Sequence, residues 1–86
     1  MSSEGMAARC AVADPEDPTS CEGPLAAVTL IDGAGKEITG CVRHGARQLA
    51  SWQGARLHPT AALLPWAIEV YCRAAQLPPF AWRVGL

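Results

Sequence analysis

The chain carries almost no net charge: seven Lys and Arg stand against eight Asp and Glu, a formal −1. That balance excludes a strong overall pull toward nucleic acid or an anionic membrane surface. Long apolar runs are also missing. The longest, from Ala61 to Ala67, is interrupted by Pro65 and followed by Glu69. A bilayer-spanning helix needs at least ~18 apolar residues, so no membrane span is expected. The N-terminus lacks a basic segment followed by an apolar one, which argues against a secretory signal. A cytoplasmic location, where thiols stay reduced, is the expectation. No nucleophile–base pair, phosphate loop or dinucleotide motif is present. Ser51 has no adjacent base, and the Gly33-Ala34-Gly35 turn lacks a following helix. Neither an enzyme nor a small-molecule substrate is expected. Internal repeats and low-complexity segments are absent too.

What is present describes one small domain of 86 residues, half of them apolar. That composition is not disordered, but a core of this size is marginal and calls for a staple. The charge is divided along the chain. Residues 1–37 carry seven acids against Arg9 and Lys36, and residues 38–86 carry five arginines against Glu69, giving −5 and +4. The simplest explanation is that the acidic half folds against the basic half. An external partner for the basic half is the alternative.

Residues 1–9 are expected as a disordered tail, ahead of a single domain over 10–86. Residues 10–24 read as loop, punctuated by Asp14-Pro15, Asp17-Pro18 and Gly23-Pro24. The β-branched run Ala27–Ile31, the turn Asp32-Gly33-Ala34-Gly35 and the returning Lys36–Thr39 predict a β-hairpin. A helix is expected from Cys41 to about Gln53, with core positions Val42, Ala46, Leu49, Ala50 and Gln53 and a left-handed Gly54 at its end. Residues 55–59 read as a connector. A second helix follows to about Gln76, with Thr60 as a cap and its regular part beginning near Pro65. Glu69, Arg73 and Gln76 form its one polar stripe, so it should be nearly encircled by protein. After Pro78-Pro79, the alternation of Phe80, Trp82, Val84 and Leu86 predicts a short extended strand. The fold class is therefore α+β: a first module over 10–54, and an apolar helix and tail over 55–86 packed on it.

Cys41 and His44 are three residues apart in the first turn of the first helix. Their side chains point to the same side, so both can hold one Zn²⁺. Cys10 and Cys21 lie upstream of the hairpin and complete a tetrahedral Cys3His set. His58, before Pro59, is the rival for the fourth place. Cys72 lies in the apolar helix, where a buried thiol is the ordinary outcome. Two disulfides are the competing use of four cysteines, disfavoured in a reducing compartment. Four protein ligands leave no open position for water, which makes the zinc structural. Were only three to bind, Glu22 and Glu37 would be the nearby bases, but no hydrolase or deaminase signature is present. The spacing matches none of the common iron–sulfur runs.

The order Cys10, Cys21, hairpin, Cys41, His44, helix resembles the treble-clef zinc finger over residues 10–54. In that fold a loop knuckle supplies two ligands and the start of a helix the other two. The resemblance implies that Cys41 and His44 are the helical pair and Cys21 a knuckle ligand, with Gly23 in the tight turn behind it. Cys10 departs from the pattern, because ten residues separate it from Cys21 where the family has two.

Two surfaces suggest partners. Trp66, Tyr71, Phe80 and Trp82 are four of five aromatic residues. They either build the core over the zinc module or leave an exposed patch for a protein partner or self-association. Arg43 and Arg47 lie one helical turn apart, with Arg56 beyond. With Lys36 and Trp52 they offer a small patch for nucleic acid, or a solvated helix face. The sequence favours a non-enzymatic protein-interaction adaptor, with a nucleic-acid-binding regulator as the alternative.

Overall fold

The hairpin organises the chain. In the computed structural model, which describes residues 9–58 and 65–85, β1 (Val28–Ile31) pairs antiparallel with β2 (Glu37–Gly40), Leu30 opposite Ile38. Asp32 shapes the turn, its Oδ1 accepting from the backbone N–H groups of Ala34 and Lys36, both at 2.9 Å. The expectations placed on residues 1–8, on 59–64 and on Leu86 lie outside the described residues.

The expected connector contains a third strand. Arg56–Leu57 forms β3, antiparallel to β1 with Leu30 opposite Leu57, and the sheet order is β2-β1-β3. Gly54, at φ +78°, turns the chain back toward the free edge of β1. His58 N–H then donates to Thr29 O at 2.9 Å. A strand of two residues has no readable periodicity, so only the sheet edge reveals it.

The first helix, α1, spans Val42–Ser51 and ends earlier than the sequence suggests. Trp52 leaves the helix in an extended conformation and packs, partly buried, against both core clusters. Gln53 is exposed rather than part of the core. The second helix, α2, spans Pro65–Ala74, but only Ala67 and Val70 are buried along it. These two residues join the core cluster that includes Val42 and Ala46 of α1, and among the described residues too little further structure packs on α2 to surround it. The expected C-terminal strand is instead a 3-10 turn over Ala81–Val84. Phe80 takes a left-handed φ of 54°, which reverses the chain after the two prolines. Its N–H donates to Ser51 Oγ at 2.8 Å, and its ring meets Trp82 edge-on at 5.7 Å.

The core has two parts. Ala27, Val28, Leu30, Val42, Ala46, Ala67 and Val70 fill the space between sheet and helices. Cys10, Val12 and Cys41 form the second cluster, with Ile38 and Trp52 against it. Val12 docks the N-terminal loop. Gln48 Nε2 donates to Val12 O at 3.0 Å, and the Val12 side chain occupies the space a Cβ at Gly40 would need.

The divided charge closes on itself. Arg47 pairs with Asp17 at 3.1 Å, Arg73 and Arg43 with Glu22 at 2.6 and 3.4 Å, and Arg83 with Glu16 at 3.4 Å. Each pair joins the acidic half to the basic half, as intramolecular complementarity requires.

Gly40→Ala should lower stability by about 1–3 kcal/mol through overpacking against Val12. Adding Val12→Ala should recover part of that loss in a denaturant double-mutant cycle. Strictly additive effects would show that the loop does not dock there.

Candidate metal centre

Cys41 is the N-cap of α1: its Sγ accepts the backbone N–H of His44 at 3.3 Å. His44 follows in the first turn. The other two candidate ligands bracket a loop that is not slack. Asp17 N–H donates to Asp14 O at 3.0 Å, and Asp14 Oδ1 accepts from Glu16 N–H at 2.8 Å. Cys10 N–H donates to Cys21 Sγ at 3.3 Å. Beside Cys21, the Glu22 carbonyl accepts from Val42 N–H at 3.0 Å, tying this end of the loop to the helix start.

These elements bring Cys10, Cys21, Cys41 and His44 together, with all four ligand atoms within 4.8 Å of one another. His44 Nδ1 lies 3.6, 3.4 and 3.3 Å from the sulfurs of Cys10, Cys21 and Cys41. A zinc tetrahedron with Zn–S of about 2.3 Å and Zn–N of about 2.0 Å has S–N edges of roughly 3.5 Å. The observed distances match those edges. Hydrogen bonding alone does not account for them, because one imidazole lone pair accepts one S–H, not three. The donor set fits a metal ion that prefers thiolate and imidazole.

The electrostatics point the same way. Burial pushes the Cys10 thiol up to about 11, opposed by a hydrogen bond from the Cys41 backbone and reinforced by the Cys41 and Cys21 side chains. Burial also opposes ionisation of Cys41. Hydrogen bonds from the His44 and Glu22 backbone, and then from Cys21 and Cys10, outweigh it and hold that thiol below its ordinary value. His44 is held below the usual histidine range chiefly by burial, with Arg9 and Arg47 adding to it and Asp17 opposing. Its imidazole is therefore kept in the neutral form that ligates. A cation entering this cluster releases the remaining thiol protons.

The alternatives sit elsewhere. His58 faces Glu37, its Nε2 at 3.7 Å from the carboxylate. All four cysteines are free thiols, and Cys72 is exposed on α2 rather than buried. α2 turns Cys72 outward because its inward positions are Ala67 and Val70.

Sequence reasoning missed the group behind His44. Arg9, placed in the disordered tail, crosses the loop and donates to Asp17 O at 2.6 Å and Thr19 O at 3.1 Å. Asp17 is almost fully buried, and its Oδ1 accepts from Thr19 N–H and Oγ–H at 3.0 and 2.7 Å. The i, i+2 spacing of an Asp and a Thr was the available signal, since such pairs form side-chain turns.

The residues expected at partner surfaces divide. Arg43 donates to Ser20 O at 3.0 Å and pairs with Glu22, while Arg47 is held by Asp17. Arg56 lines an apolar groove of about 570 Å³ with Leu49, Leu57, Ile68 and Tyr71. On α2, Trp66, Ile68 and Tyr71 are 45%, 53% and 67% exposed. Phe80 is partly exposed, with the Arg83 guanidinium 4.7 Å from its ring centre, and Trp82 is half-buried. Among the described residues, no helix is long and apolar enough to cross a membrane. In comparison with known proteins, the chain matches no family model, no curated protein and no solved structure.

Three groups give stability the same pH sign. Asp17 is held below the usual carboxylate range by Thr19 and Arg47 despite its burial, and Glu22 is held below it mainly by Arg73. His44 is also depressed. Each contribution is complete above the group's unfolded value and is lost as the pH falls through its folded value. The urea midpoint should therefore begin to fall below about pH 6.5 on account of His44 and fall further below about pH 4 as Asp17 and Glu22 take up protons. A midpoint that stays flat down to about pH 3 would contradict these placements.

Proposed function

We propose that this protein is a small, non-enzymatic adaptor, stapled by one structural zinc ion, that presents α2 and the C-terminal turn to a protein partner. Cys10, Cys21, Cys41 and His44 hold the zinc. The ligand order supports a treble-clef-like reading: a loop knuckle, then the hairpin, then the helix start. The structural role follows from the count, since four protein ligands leave no position for water or substrate. Such a thiolate site belongs in a reducing compartment, which fits a cytoplasmic protein.

One observation carries the adaptor reading. The half of the fold that carries the Cys and His cluster packs against a helix on which Trp66, Ile68 and Tyr71 are exposed beside the Glu69–Arg73 pair. Aromatic anchors beside an apolar groove are the usual core of a protein interface. Against the nucleic-acid alternative, Arg43 and Arg47 spend their guanidinium groups on Glu22, Ser20 and Asp17.

Native mass spectrometry should find one zinc per chain. Cys41→Ser should abolish both the zinc and cooperative unfolding, whereas Cys72→Ala should change stability by less than about 0.5 kcal/mol, as an exposed site does. Equal effects of the two substitutions would mean the ligand assignment is wrong.

A photo-crosslinking residue in place of Tyr71 should capture a discrete protein whose adduct survives high salt and disappears on Ile68→Ser. An adduct to nucleic acid that salt abolishes would favour the alternative.

A further inference from the structure

His44 has two ring nitrogens, and the structure separates their surroundings. Nδ1 faces the three sulfurs. Nε2 faces Thr19, with the backbone carbonyl at 3.0 Å and Oγ at 3.2 Å. The Thr19 hydroxyl donates its proton to Asp17, so the lone pairs of Oγ are what it offers to the ring. Both Thr19 atoms near Nε2 are thus acceptors. Arg9 lies 3.3 Å from Nε2, but the same guanidinium nitrogen is directed at the carbonyls of Asp17 and Thr19. The ring proton therefore belongs on Nε2, and the free lone pair on Nδ1 points at the sulfurs.

Thr19 is held in turn. Asp17 Oδ1 accepts from both its N–H and its hydroxyl, and Arg47 fixes the carboxylate with contacts of 3.1 and 3.2 Å to its two oxygens. Asp17 and His44 are each only 1% exposed. A buried carboxylate that spends its acceptors on one loop turn and one arginine is built to fix that turn.

We infer that Asp17 is a positioning residue for the metal site: through Thr19 it locks His44 as the Nε2–H tautomer, so that the metal is bound by Nδ1. This rests on the metal reading above. It adds which nitrogen ligates and which residue outside the ligand set determines affinity. Partners that orient a ligating histidine typically account for 10- to 100-fold in metal affinity.

The test measures zinc affinity by chelator competition alongside the long-range ¹H–¹⁵N spectrum of the His44 ring. In the zinc-loaded wild type, Nδ1 should show the metal-bound shift, and Nε2–H should appear as a slowly exchanging proton. Asp17→Asn should weaken zinc binding about 10- to 100-fold and speed exchange of Nε2–H while Nδ1 stays metal-bound. Asp17→Glu should recover little, because its longer arm cannot keep the i, i+2 turn. Should Asp17→Asn fail to fold with zinc, Thr19→Val removes only the hydroxyl. It should weaken binding less and still speed the exchange. Zinc bound through Nε2, or wild-type affinity and exchange in these variants, overturns the inference and leaves the metal reading standing. A wild type that takes up no zinc removes both.

Discussion

Three sulfurs converge on one imidazole nitrogen, and the rest of the fold is arranged around that crowding. Cys10 and Cys21 come from a loop, Cys41 and His44 from a helix start, and the hairpin stands between them in sequence. Left as thiols, the sulfurs are buried polar groups with one lone pair to share. Left as thiolates, they repel one another in a poor solvent for charge. A divalent cation turns the repulsion into attraction. In a domain this small, a bound zinc ion would contribute on the order of 10 kcal/mol to folding, comparable to the whole stability of an ordinary domain.

The same site explains how the two halves meet. Beside Cys21 of the cluster, Glu22 reaches Arg73 on α2 with both carboxylate oxygens, at 2.9 and 2.6 Å, and its carbonyl holds the start of α1. Next in the chain, Gly23 lies against Val42 and Trp66. This end of the loop thus touches both helices directly. Exposed ion pairs contribute little singly, but Glu22 joins a ligand-bearing loop to the helix proposed as the contact surface. The proposed interface is therefore joined through Glu22 and Gly23 to the loop that carries Cys21.

Much of this was legible in the sequence. The hairpin declared itself through the Asp-Gly-Ala-Gly turn, and the cysteine and histidine spacing pointed to four residues that the fold does bring together, because helix geometry relates Cys41 to His44 locally. The divided charge anticipated the pairing of Asp17 with Arg47 and Glu22 with Arg73. What stayed hidden depended on contacts between distant residues. β3 exists because β1 has a free edge, not because Arg56 and Leu57 favour a strand. The alternating tail became a 3-10 turn because Phe80 adopts a left-handed conformation after two prolines, which periodicity does not reveal. The burial of α2 was overestimated because an apolar sequence reports what a helix could bury, not whether enough neighbouring structure exists to cover it.

The most direct measurement is the thermal unfolding curve, followed by circular dichroism, before chelation, after it, and after one equivalent of zinc is restored. The account predicts a cooperative transition that collapses when the metal is removed and returns at stoichiometric zinc. A transition that chelation leaves unmoved would show that the chain holds its shape without the ion, contradicting the claim at the centre of the account.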